Sequence, residues 1–167
     1  MGELVGIRCR YVRVGSDDVE SLWRDPESFV FGFDVNHLNG DPLADQSIGI
    51  EKTWHALDYL LDKAVGPAAD VIFGGDPFAD DWGYGPPSFM DSKVVKRKAD
   101  VLNRTPFSNL TVHYDAQAMQ NEEIYPGVWR DDGEDFDLRW LRGHYEKLVT
   151  FFNVAAAAGD SMVVVLT

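Results

Sequence analysis

Glu51, His55 and Tyr59 recur at four-residue spacing, so on a helix they share one face. A carboxylate that orients an imidazole, with a phenol beside it, is an acid–base group. His55 is therefore the candidate catalytic residue. The plainer reading is preferred: Trp54 packs in the core and His55 makes a structural hydrogen bond at the helix rim, because a lone histidine is a weak signal. Tyr84, Tyr125 and Trp129 lie in turn segments stiffened by glycine and proline. Such turns can hold amphipathic rings at a pocket mouth, polar tips toward a ligand. Together with Trp54, His55 and Tyr59 they make a candidate pocket. The competing reading has them capping the core beneath a long loop.

The common signatures are missing. The chain has no Gly-x-x-x-x-Gly-Lys, no Gly-x-Ser-x-Gly and no His-Glu-x-x-His. Asp131, Asp132, Glu134, Asp135 and Asp137 surround Gly133 without the spacing of a calcium loop, and read as a solvated loop leading into a helix. Asp76, Asp80 and Asp81 reach a cation shared with His55 only if their loop folds over its helix, and no ligand spacing supports that. No cofactor and no metal are expected.

The positioning elements follow from periodicity. Residues 4–14 read as a strand, with Val5, Ile7, Cys9 and Tyr11 on one parity and Arg8, Arg10, Val12 and Val14 on the other. Arg8 and Arg10 then face a layer, where each needs a carboxylate or an edge that reaches water. Ser16 is an N-cap for a helix carrying Val19, Leu22 and Trp23, which Pro26 ends. Residues 26–50 are ambiguous: 28–33 suits a strand or an irregular segment, and Asn39-Gly40-Asp41-Pro42 is a turn. Ile50, Trp54, Leu57, Leu61 and Ala64 mark a helix that Gly66-Pro67 stops. Val71-Ile72-Phe73 suits a short buried strand.

Residues 74–90 form a long loop rich in glycine, proline and aromatics, and loops beyond about 12 residues are often functional. Asp91 or Ser92 caps the next helix, and a further helical stretch covers 110–120. Leu138, Leu141, Tyr145, Leu148, Phe152 and Ala155 trace the last helix, with Gly159 as its C-cap. Met162 to Leu166 shows no alternation, which indicates a strand covered on both faces. The expected fold is α/β: a single domain over residues 1–167, a three-layer α-β-α sandwich with a central mixed sheet.

The chain has 167 residues and a net charge of −13, with a sequence pI near 4.5. A polyanion is repelled, so nucleic acid is not an expected partner, nor is an anionic membrane surface. The basic stretch 91–104 reads as a solvated helix face. A basic protein partner fits the acidic excess. Cys9 is the one cysteine, which suits a reducing cytoplasm. No start with a signal-peptide pattern and no membrane-length apolar run is seen.

Four segments carry a family resemblance. Residues 51–61 are close to a K-x-W-H-x-L-x-x-L-L helix, 81–87 hold G-Y-G-P, 124–129 hold Y-P-G-x-W, and Tyr11-Val12-Arg13-Val14 ends a strand before an acidic helix. In these the chain resembles the YfbM-like family of bacterial proteins, a domain of unknown function. The resemblance implies a three-layer α/β fold and brings no catalytic residues. Two functions are then weighed. The preferred one is a protein-interaction or immunity-like module, with the 74–90 loop and the 124–129 turn forming one rim. The alternative is a small-ligand site or enzyme centred on His55.

Overall fold

The computed structural model describes residues 6–32, 40–131 and 135–167. Strand β1 (Cys9–Val14) leads to helices α1 (Val19–Arg24) and α2 (Pro26–Phe31), then β2 (Ser47–Gly49). A 3-10 turn (Glu51–Thr53) opens α3 (Trp54–Val65), and a second (Pro67–Ala69) follows it. Next come β3 (Asp76–Pro77), β4 (Ser88–Met90), α4 (Ser92–Asn103), α5 (Phe107–Thr111), α6 (Ala116–Asn121), α7 (Phe136–Ala158) and β5 (Ser161–Leu166).

The strands form one sheet in the order β2-β1-β5-β4-β3, so β5 is central, as its unbroken apolar run requires. Tyr11 lies opposite Val164 and Val12 opposite Val163. This register sends alternate residues to two cores. Cys9, Tyr11, Met162 and Val164 join a large core with α3, α4, α5, α6 and α7. Val12, Val14, Val163 and Val165 join a smaller one with Leu22 of α1 and Val30 of α2, against which Phe78, Trp82 and Phe89 pack. The result is one mixed α/β domain.

Several expectations are corrected. The sheet is not mixed: every pairing among the described residues is antiparallel. Pro26 does not merely end a helix but starts α2 at its first turn, where a missing N–H costs nothing. Asp25 caps that helix, accepting hydrogen bonds from Ser28 N–H and Ser28 Oγ at 3.2 and 2.7 Å. Residues 71–73 form a turn, not a strand. Asp70 adopts a left-handed conformation and its carbonyl accepts the Gly74 N–H at 3.0 Å, closing the chain on itself. The helical stretch 110–120 is split, because Asp115 turns extended and caps α6 through Ala118 N–H.

Other features match the sequence. Asp91 caps α4 by accepting from Val94 N–H at 2.9 Å. Gly159, at φ +73°, ends α7 with bonds from Gly159 N–H to the Ala156 carbonyl and from Asp160 N–H to the Ala155 carbonyl. The first residues of the 4–14 strand, Asn39 of the turn, and Asp132, Gly133 and Glu134 of the acidic run lie outside the described residues.

Candidate functional site

Three side-chain assemblies carry polar chemistry. The first surrounds His55. Trp54 and His55 open α3, and the Trp54 ring stacks with His55 (5.4 Å, 11°) and with Tyr125 (5.4 Å, 24°). His55 Nδ1 accepts the Tyr125 N–H at 2.8 Å, so the neutral ring carries its proton on Nε2. Trp54 Nε1 donates to the Ile7 carbonyl at 2.7 Å, and the Tyr125 hydroxyl accepts the Ile7 N–H at 2.8 Å. Helix α3, the 124–129 turn and the approach to β1 are thereby tied together. Burial lowers the His55 pKa. Glu51 sits in the 3-10 turn at φ +56°, ahead of α3, so it does not share a regular helical face with His55. Tyr59, on α3, has Lys63 Nζ 5.0 Å above its ring.

The remaining candidates lie elsewhere. Trp129 is only 3% exposed and packs in the large core against Trp140, its Nε1 donating to the Ile124 carbonyl at 2.8 Å. Tyr84 is 49% exposed on a turn that Asp81 organises by accepting from Gly83 N–H and Gly85 N–H. That turn's neighbours, Phe78 and Trp82, pack on the smaller core, whereas Trp54 packs on the large one. Asp137 is not a solvated loop residue: it is buried and accepts from Arg130 N–H at 2.9 Å and from the Tyr114 hydroxyl at 3.3 Å. Arg10, on the parity of Val12 and Val14, is half-buried, and burial lowers its pKa.

A second assembly was not anticipated. Lys98, on α4, is 1% exposed; its Nζ donates to the Gly74 carbonyl and lies 3.4 Å from Met90 Sδ. Burial pulls its pKa down to about 7, against the opposing pull of Asp70. Nearby, burial together with Asp62 and Asp70 raises Asp58 to about 6. Tyr11 donates to the Ile72 carbonyl at 2.7 Å, and burial lifts the Cys9 thiol to about 12. The signal was present in the sequence: Lys98 falls between Val95, Ala99 and Leu102 on the apolar stripe of α4, where a lysine is out of place.

The third assembly is an open aromatic platform on the side of the smaller core. Trp23 (48% exposed) packs against Phe78 at 5.2 Å and Phe89 at 5.1 Å, and Phe31 (36% exposed) against Trp82 at 5.4 Å. The elements that supply these rings also supply exposed carboxylates: Glu20, Asp25, Glu27, Asp76, Asp80 and Asp81. A shallow depression of about 510 Å³ is lined by Asp25, Glu27, Ser28, Phe31 and Gly32. Sequence reading found the 74–90 loop but missed its aromatic partners on α1 and α2, because residues 26–32 were not resolved into a helix.

No group of three or more metal-ligating side chains forms among the described residues, and no helix among them is long and apolar enough to cross a membrane. Compared with curated proteins, the chain matches none. Among solved structures it is similar to "The Crystal Structure of a Protein of Unknown Function YfbM from Escherichia coli", at 16% identity and a TM-score of 0.68, over 96% of this chain and 99% of that one. At that identity the likeness concerns the fold. The family model described as "Domain of unknown function (DUF1877)" matches residues 5–165. The match spans nearly the whole chain, and the protein belongs to the DUF1877 family.

Proposed function

We propose that this domain is a protein-interaction module of the cytoplasm, and that its acidic surface takes a basic partner. The observation that carries this reading is the platform of Trp23, Phe31 and Trp82 with carboxylates on the same elements. Large rings left open to water lose the gain of burial, and a docking partner recovers it. The net charge of −13 selects a partner of opposite sign. In this reading the fold is a three-layer sandwich whose thin layer, α1, α2 and the 78–87 segment, is the recognition layer.

The alternative, acid–base chemistry at His55, draws support from the stacked Trp54–His55–Tyr125 group and the burial of the imidazole. It is the weaker reading, since Nδ1 is occupied by a backbone N–H and Glu51 is not aligned to orient the ring.

The test is affinity capture from native lysate at low and high salt, with the wild type and a Trp23→Ala/Phe31→Ala variant in parallel. A partner that is retained at low salt, released at high salt and absent from the variant supports the module. Capture that is indifferent to both salt and the variant removes its basis.

A further inference from the structure

Three other aromatics, exposed Phe136, partly buried Tyr59 and buried Phe107, already carry a cation of this chain. Lys63 Nζ lies 5.0 Å from the Tyr59 ring centre, Arg130 Cζ lies 5.3 Å from that of Phe136, and Arg142 Cζ lies 5.4 Å from that of Phe107. Among the described residues, no cation of the chain lies over Trp23, Phe31 or Trp82. Arg24, the nearest basic residue in sequence, is engaged with Glu20 at 3.0 Å. Among the described residues, the platform thus offers ring faces and carboxylates together without a resident cation.

Two features favour guanidinium over ammonium. The first is the fixed geometry of Asp25. Ser28 donates to both oxygens of Asp25, holding the carboxyl below its usual pKa and in one orientation, and Glu27 lines the same depression. A planar fork of N–H donors matches such carboxylates better than a point charge does. The second is the rings themselves: Phe31 lines that depression and leans on Trp82. Guanidinium is weakly hydrated and stacks on aromatic faces, whereas a strongly hydrated ammonium gives up more water to do so.

We infer that the platform recognises arginine, and that the partner presents an arginine-bearing segment whose guanidinium sits against Phe31 beside Asp25 and Glu27. This rests on the basic-partner reading and narrows it.

The test uses the full chain and three ten-residue peptides of equal length with alternating glycine, one bearing five arginines, one five lysines and one five glutamates. Binding is followed calorimetrically at 50 and 500 mM salt. The arginine peptide is expected to bind about tenfold more tightly than the lysine peptide. Phe31→Leu is expected to reduce that advantage to about twofold or less while leaving the lysine peptide nearly unchanged. Glu27→Gln is expected to weaken both. Both side chains are exposed, and an unchanged circular dichroism melt verifies folding. Equal, salt-sensitive binding of the two basic peptides overturns the arginine inference and leaves the basic-partner reading standing. An arginine preference that survives Phe31→Leu overturns the site. Basic peptides that bind no better than the glutamate peptide overturn both readings.

Discussion

At the scale of single residues, His55 and Lys98 are the two side chains whose roles differ most from their sequence appearance. His55 acts as an acceptor that fastens the Tyr125 backbone to α3. His55→Leu leaves that part-buried N–H unpaired, so the expected cost is about 1–3 kcal/mol in urea unfolding. The sign of its pH dependence follows from burial. The folded-state pKa lies below the unfolded value, so the stabilisation is complete above the unfolded value and is lost as pH falls toward the folded one. His55→Leu is expected to flatten that acid-side slope. Lys98 works in the same direction at higher pH. Its folded pKa is about 7 against an ordinary 10.5, so between these values the unfolded chain binds more protons and stability rises with pH. The penalty is fully present below pH 7. Lys98→Met keeps the length of the stem and removes the buried charge. Unfolding curves of the two proteins should therefore differ by a few kcal/mol at pH 7 and converge toward pH 10.5. A constant difference across that range rules out the charge as its source.

At the scale of elements, what was legible depended on whether a local rule acted alone. Helix α7 and strand β5 were readable because a long 3,4-spaced stripe and an unbroken apolar run each admit one reading. The cap of α4 was legible to within one residue, Asp91 or Ser92, because capping is decided within four residues, and the structure selects Asp91. Asp91→Ala is expected to cost about 1 kcal/mol of stability, read from the urea midpoint at unchanged slope. Helix α2 was not readable. Pro26 serves both as a stop for α1 and as the first residue of α2, and only the hydrogen bonds from Ser28 to Asp25 decide between them. Residues 71–73 misled because apolar composition reports burial and not extension; Val71 and Ile72 are indeed buried, but in a turn. Of the candidate pocket, the adjacency of Trp54 and His55 was legible, while their meeting with Tyr125 depends on a contact 70 residues away that no local pattern encodes. The aromatic platform depends likewise on α1, α2 and the 78–89 segment being brought together by the sheet.

At the scale of the whole molecule, the charge of −13 acts on folding and on recognition with opposite signs. Like charges repel more strongly in the compact chain than in the expanded one, so the excess opposes folding. Much of the acid is exposed, including Asp76, Asp80 and Asp81 on one short segment, where salt screens it effectively. Added sodium chloride is thus expected to raise the thermal midpoint between 20 and 500 mM. Docking of a basic partner draws on the same field in the favourable sense, so its affinity and association rate fall over the same range. Measuring both quantities in one salt series separates the effects. If binding weakens only because the domain loosens, the melting temperature must fall with it. A melting temperature that rises while affinity drops places the salt sensitivity in the association itself rather than in the fold.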